Sequence, residues 1–337
     1  MRSTQWVCLL LAVGAGLARA QAPVIGDLNF YGLRKVTPET ILSAAQLKTG
    51  DRLPKSKGEL EDIISQIPDV VLARVEAVCC DGSRATLFIG VEEKDEPHPS
   101  FRSEPTGEDA LPPKLLDSYR EFLSAVQRAA GRGDTSEDFS AGHSWMSDER
   151  VRAFQRQFVA SAESQLALLR QVLHNAADPE QRAAAVGLIG YAPAKHDIID
   201  DLQYALQDPD ESVRANAARS LTAIGVLAAK QPALHLRISP TGLLDMLDSA
   251  VLSDRVEAVK ALLTLTDGRD QSVLDLLREH ALPPLAEMAR WKTPRYALPP
   301  FLLLGRAAGL EDSQTQESWQ KDDRESVIRK ALGTGGK

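Results

Sequence analysis

A recurring arginine motif constrains the fold of this chain more than any other feature. Arg182-x2-Ala185-x3-Ile189, Arg214-x2-Ala217-x3-Leu221, Arg255-x2-Ala258-x3-Leu262 and Arg295-x2-Leu298-x3-Leu302 follow one another at steps of 32, 41 and 40 residues. Positions i, i+3 and i+7 share one face of an α-helix, and the small middle residue in three copies lets a neighbouring helix approach closely. Ahead of the second copy, Ile198 to Leu206 is itself apolar at helical spacing and joins it through Asp208-Pro209-Asp210, so each unit reads as a helical hairpin. Arg182, Arg214, Arg255 and Arg295 are expected to meet carboxylates at the repeat turns as a structural ladder of surface ion pairs.

Within this pattern, Asp210-x2-Val213-Arg214-x2-Ala217 is the clearest copy, and it is similar to HEAT-type repeats, including their PBS-lyase-like subgroup. The resemblance covers roughly Glu163 to Gly309. It implies an all-α solenoid of helical hairpins and says almost nothing of activity, because such repeats occur in scaffolds of every kind. In the fourth copy, Pro283-Pro284 and Pro299-Pro300 are expected to bend or cap the helices, making it a terminal cap. A frayed helix around Trp319 to Leu332 and a Gly-rich disordered tail are expected to follow.

The first hundred residues change period several times. Val24 to Tyr31 alternates loosely and ends at Gly32, as a strand does. Thr37-Pro38-Glu39 supplies an N-cap, a first-turn proline and a first-turn acid, predicting a helix to Ala45. A second helix from about Ser56 to Ile67 places Leu60, Ile63, Ile64 and Ile67 on one face and stops at Pro68-Asp69. Two strands follow, Val71 to Cys80 and Arg84 to Glu92. Pairing Ala73 with Val91, Val75 with Ile89, Ala77 with Leu87 and Cys79 with Ala85 puts every apolar partner on one face. A one-residue slip exchanges the faces, so a three-residue loop, or a bulge with the same effect, is expected at Asp81-Gly82-Ser83.

This strand-helix-helix-strand-strand order resembles the POTRA domain of polypeptide-transport and outer-membrane-assembly proteins. The resemblance is carried by Ile25-x4-Phe30-x-Gly32, Thr37-Pro38-Glu39-x-Ile41, Leu47-x2-Gly50-Asp51 and Leu87-x-Ile89-x-Val91-Glu92. It implies a small α+β domain that docks polypeptides, with a role in outer-membrane protein assembly or secretion. Where the family usually has a glycine-aromatic turn, this chain has Ile67-Pro68-Asp69-Val70, and no run of alternating ten-residue strands follows to build a membrane barrel.

Pro97, Pro99, Pro105, Pro112 and Pro113 give residues 95–113 the composition of a semi-stiff linker between two folding units. Residues 114–175 then carry long helical segments, Lys114 to Ala130 and Ser147 to Asn175, separated by a polar stretch, Gly131 to Ser144, expected to be a mobile loop. The organisation expected is thus a signal peptide (1–20), a POTRA-like domain (21–94), the linker (95–113), long helices (114–175), HEAT-like repeats (176–310) and a capping helix with a disordered tail (311–337).

The signal is read from Arg2, the apolar run Trp6 to Leu17 and Ala18-Arg19-Ala20, the small-x-small pattern that signal peptidase accepts. At about twelve residues the run is short of the roughly twenty that span a bilayer. Cleavage near Gln21 removes Arg2 and Arg19 and takes the formal charge from −8 to −10. An acidic chain is poorly suited to phosphate neutralisation, so nucleic acid is not an expected partner. Export would place the chain in the periplasm or outside the cell, with membrane contact only if the signal is retained. The remaining Cys79 and Cys80 are adjacent and cannot cross-link distant parts. A vicinal bridge, a bond to another chain, or a small buried strand residue at Cys79 are the alternatives.

Catalytic and metal-binding residues are not expected, nor is a cofactor. His98, His143, His174, His196, His235 and His280 include no pair at i, i+4 and no His-Glu-x-x-His. Gly142-His143-Ser144-Trp145-Met146 partly imitates a nucleophile elbow, but it lacks the second glycine and follows no strand. Arg132-Gly133-Asp134 reads as a solvated turn. The expected function is a non-enzymatic protein-binding adaptor or scaffold of the cell envelope, with protein partners. The alternative is an envelope hydrolase or lyase with a site between the repeats.

Overall fold

A small strand-containing region opens the chain and a helical solenoid follows. The computed structural model describes residues 23–81 and 84–333; the expected signal, residues 1–20, and residues 334–337 of the Gly-rich tail lie outside them. The first elements are β1 (Val24–Tyr31), α1 (Pro38–Ala45), α2 (Lys57–Ser65), β2 (Val70–Asp81) and β3 (Arg84–Glu93). The sheet runs β1-β3-β2, with β1 parallel and β2 antiparallel to β3. The Thr37 and Ser56 side chains accept from the backbone N–H of Thr40 and Glu59, so both helices start where a short hydroxyl residue satisfies an orphan donor.

Ala73, Val75 and Ala77 pair with Val91, Ile89 and Leu87. A register shift between Val78 and Asp81, which pairs with Arg84, replaces the expected Cys79–Ala85 pair. This is the bulge that keeps the apolar set on one face. Cys79 is exposed and disulfide-bonded, so the buried-residue alternative fails. The loose alternation of β1 has a similar cause. A register shift between Ile25 and Asp27 turns the strand over, so that Ile25, Leu28 and Phe30 all pack toward the helices while Asn29 and Tyr31 face the other way. On α2, Leu60 and Ile64 are buried but Ile63 is 42% exposed. The helix is too short and too near the sheet edge for its whole apolar face to be covered.

Both faces of the sheet are covered. Ile25, Ile41, Leu60, Ile64, Val75, Leu87 and Ile89 close a core under α1 and α2, whereas Tyr31 and Phe88 on the opposite face belong to the core of the helical part. Glu93, itself buried, accepts the backbone N–H groups of Arg34, Lys35 and Val36 at 3.1, 2.6 and 3.0 Å and pins the turn before α1.

The helical part comprises α3 (Pro113–Gly131), a ribbon of β4 (Glu137–Asp138) and β5 (Trp145–Met146), α4 (Glu149–Asn175), α5 (Pro179–Ile189), α6 (Ile199–Ala205), α7 (Glu211–Lys230), α8 (Thr241–Asp245), α9 (Leu252–Leu265), α10 (Gln271–His280), α11 (Leu282–Ala289), α12 (Pro294–Ala307), α13 (Asp312–Gln320) and α14 (Arg324–Ala331). Helices α5, α7, α9 and α12 lie side by side in one row. Helix α4 kinks at Gln165, next to Ser164, whose hydroxyl donates to the Ala160 carbonyl one turn back.

Three expectations are corrected. The stretch Gly131 to Ser144 is not a bare loop: β4 pairs with β5, and Arg132 and Asp134 of the Arg-Gly-Asp turn bind Asp148 and Ser147. The C-terminal segment is not one frayed helix but two, α13 and α14, anchored by buried Val327 and Ile328 against α12. Pro283 and Pro284 stand in the first turn of α11, as expected of prolines that cap a helix, but Pro299 and Pro300 run inside α12 without ending it.

The proline-rich stretch does not hold two units apart. It lies along the repeat turns as a strap: Phe101 stacks 3.8 Å from the Arg214 guanidinium, and Arg102 donates its N–H to Gln207 O and lies 3.1 Å over Tyr204. Gly107 donates to Asn175 O and accepts from Ala177 N, while Leu111 is buried. Prolines keep the segment extended, and its apolar side chains find a groove at the hairpin ends.

Candidate binding cleft

Three of the four repeat arginines form a buried ladder. Arg182 binds Asp208 through Nε and Nη2 at 2.9 Å, Arg214 binds Asp254 at 2.7–3.1 Å, and Arg255 binds Glu287 at 2.9 Å. Each also reaches back to its own hairpin turn: Arg182 to the Ala176 and Ala177 carbonyls, Arg214 to those of Asp208 and Pro209, Arg255 to that of Ser249. These are not the surface ion pairs expected, because all three side chains are buried and each ties one hairpin to the next.

Arg295 does not join them. Arg182, Arg214 and Arg255 stand fourth in their helices, counted from Pro179, Glu211 and Leu252, whereas Arg295 stands second, after Pro294. Two residues turn a helix by about 200°, so Arg295 points off the ladder and is exposed, its guanidinium 4.5 Å from the Tyr296 ring. The Ala289 and Trp291 carbonyls of this turn accept from Arg324 of α14. The Thr293-Pro294 helix start was the signal in the sequence that places Ala297, not Arg295, at the ladder position.

The last rung is also where the sheet docks. Glu287 accepts from Arg255 and from the backbone N–H of Gly32 at 3.0 Å. The Tyr31 hydroxyl, whose pKa burial raises, donates to Ala250 O at 2.9 Å, and the Arg255 guanidinium covers its ring. Phe88 meets Trp291 and Tyr296 edge-on at 5.1 and 5.4 Å. Asn29 accepts from Lys292 N at 3.1 Å.

Beside this seam a cleft of about 590 Å³ opens between β2 and the row of α9 and α12. Val78, Val256, Val259, Met288, Tyr296 and Pro299 give it an apolar lining. Lys57, Arg74 and Glu76 border it on the sheet side, and Glu211, Glu257, Lys260 and Arg295 on the helical side. Lys57 pairs with Glu76 at 3.2 Å and Lys260 with Glu257 at 2.6 Å.

The strand edge bordering the cleft is guarded. Val75 N donates outward to Glu61 Oε1 at 2.8 Å, and Arg74 Nη1 donates to Ala73 O at 3.1 Å. In an antiparallel ladder alternate residues present their main chain to the same side, so two of the outward-facing groups there, the Ala73 carbonyl and the Val75 N–H, are already engaged. At the other edge, Ile25 pairs with Gly50 and Asp51. Charged side chains seated on an edge strand are a common protection against unwanted pairing.

A smaller cavity of about 170 Å³ touches Tyr119, His143, Ser144, Tyr191 and Arg219. It gathers part of the segment that imitates a nucleophile elbow. His143 packs on Trp145 and Tyr191, and Lys195 Nζ donates to Gly190 O at 2.8 Å with His143 Nδ1 3.5 Å away. Ser144 accepts from Gln155, and no hydrogen bond joins it to His143 among the described residues. Burial, then the Lys195 charge, pushes His143 from 6.5 down to about 4. Burial likewise pushes Lys195 down to about 8.

The folded state therefore binds fewer protons than the unfolded chain between these histidine values, and stability must fall as pH drops from about 6.5 toward 4. Urea titrations across this range are expected to show a shallower decline for His143→Phe than for the native chain. Equal slopes would mean that His143 titrates normally in the fold. Among the described residues no group of three or more His, Cys, Asp or Glu side chains is placed to hold a metal ion, and no helix is long and apolar enough to cross a membrane.

Comparison with known families matches residues 166–244 to HEAT repeats, from just after the α4 kink into α8. Among solved structures, a designed armadillo repeat protein is similar over 66% of this chain and 100% of its own, at 16% identity and a TM-score of 0.36. No curated protein matches.

Proposed function

We propose that this chain is an exported scaffold that takes a segment of a protein partner into the cleft between β2 and helices α9 and α12. The observation that carries this reading is the cleft itself: it is open, apolar within and charged at the rim, and it lies where a rigid repeat stack meets a docked sheet. Repeat solenoids offer extended surfaces to protein partners, and a cleft between two structural units is a favoured binding place.

The N-terminal region is read as POTRA-like from its strand and helix order together with the motifs named above. Residues 1–20 support export, and a cell-envelope partner follows from these two readings. A POTRA-like sheet would ordinarily be expected to bind by adding a strand. The guarded edge at Ala73 and Val75 argues for recognition by side chains within the cleft instead.

A photo-crosslinking residue at Lys260, on the cleft rim, tests this against one at exposed Leu234. Crosslinking in the native cells is expected to trap a defined polypeptide from position 260 only. The product should vanish when Val256→Trp fills the cleft. Equal capture from both positions, or capture indifferent to Val256→Trp, rules the cleft out as the binding surface.

A further inference from the structure

We infer that the cleft selects an acidic segment with apolar flanks, its carboxylates held by Arg74 and Arg295. This rests on the cleft being the binding surface and names the chemistry of what enters it. Of the charges on the rim, Lys57, Glu76, Glu257 and Lys260 neutralise one another in close pairs. Arg74, Arg295 and Glu211 form no ion pair among the described residues. Within the lining, two guanidinium groups thus stand against one carboxylate, while Glu92 on β3 is a further carboxylate that feels the Arg74 charge. The lining carboxylate, Glu211, lies in the first turn of α7, where the helix dipole already favours a negative charge.

Each arginine keeps most of its donors free. Arg74 spends one N–H on Ala73 O, and Arg295 spends one on the Tyr296 hydroxyl. An arginine has five donors in a planar fork that matches a carboxylate in two-point contact. Arg295 is the repeat arginine that the ladder leaves out, because it stands second and not fourth in its helix. It also sits in the first turn of α12, where the dipole adds to its positive field. On an otherwise acidic chain, two guanidinium groups with free donors beside an apolar cleft draw anions and turn away basic segments. Val78, Val256, Met288 and Pro299 then receive the apolar neighbours of the acidic residues.

The test is fluorescence anisotropy with the full chain and a short labelled peptide alternating Glu and Val. Matched peptides carrying Gln or Lys in place of Glu serve as controls. The acidic peptide is expected to bind at least about tenfold tighter than the Gln peptide, and more weakly as salt is raised, while the Lys peptide does not bind. Arg74→Glu and Arg295→Glu should each weaken binding about tenfold, since a like charge then faces the ligand. Arg295→Lys should retain part of the affinity, with melting unchanged because the side chain is exposed.

Equal affinity for the Glu and Gln peptides, or affinity unmoved by either reversal, overturns the inference. So does self-association of the chain abolished by Val256→Trp, which makes a second copy the occupant. If the acidic peptide fails while crosslinking at position 260 still depends on an open cleft, the inference falls and the scaffold reading stands. If both fail, both fall.

Discussion

Replacing Arg214 by alanine is expected to lower stability by about 3–5 kcal/mol in urea denaturation, the scale of breaking a buried ion pair. The substitution strips Asp254, fully buried, of its bidentate partner and leaves it only the Ser249 hydroxyl at 2.7 Å. It also orphans the Asp208 and Pro209 carbonyls and removes the surface on which Phe101 stacks. Against a total folding free energy of about 5–15 kcal/mol, this is enough to unfold the middle of the stack. The double change Arg214→Met with Asp254→Leu should recover most of the loss, because most of the penalty is the uncompensated charge and not the missing attraction. Arg295→Ala, by contrast, should change stability by no more than about 0.5 kcal/mol. If Arg214→Ala were as mild as Arg295→Ala, the ladder would not be what ties the hairpins together.

The second large effect is expected at the seam. A Cβ at Gly90 would lie 2.2 Å from the Ala250 carbonyl oxygen and 2.3 Å from the Tyr31 ring. Both obstacles are fixed, one as backbone and the other by the Tyr31–Ala250 hydrogen bond and the Arg255 guanidinium above it. Gly90→Val should therefore cost about 3 kcal/mol, the upper end of overpacking. Its consequence is specific: the sheet lifts from the stack, Phe88 leaves Trp291, and Trp291, buried in the native chain, becomes wet. A red-shifted Trp291 emission with unchanged helical circular dichroism is the expected signature. Crosslinking from position 260 should weaken as well, since one wall of the cleft has moved. A Gly90→Val chain with native emission would show that the seam yields without opening.

Much of the local structure was legible because its signals are local. Thr37 and Ser56 mark helix starts through bonds that reach only three residues ahead. The pairing of β2 with β3 follows from the requirement that Ala73, Val75, Leu87, Ile89 and Val91 share a face. The hairpin repeats are written in spacing, and the HEAT match over residues 166–244 lies within the stretch where that spacing is clearest.

Other features depend on context that spacing does not carry. Arg295 matches the repeat spacing, yet a helix start two positions later relative to the motif turns it away from the ladder. Ile63 has the helical spacing of a core residue, yet it is left 42% exposed. The prolines of residues 95–113 suggest separation, whereas Phe101, Arg102 and Leu111 bind the strap to the repeats.

By itself, then, the sequence determined periods, caps and strand register, all set by interactions within a few residues or across one hairpin. Only the tertiary structure decided that the ladder is buried, that Tyr31 and Phe88 dock the sheet on α9, α11 and α12, and that a cleft opens beside them with Arg74 and Arg295 on its rim. Residues as far apart as Gly32 and Glu287 meet because two apolar surfaces must cover each other. The spacing along the chain carries no record of which surfaces those are.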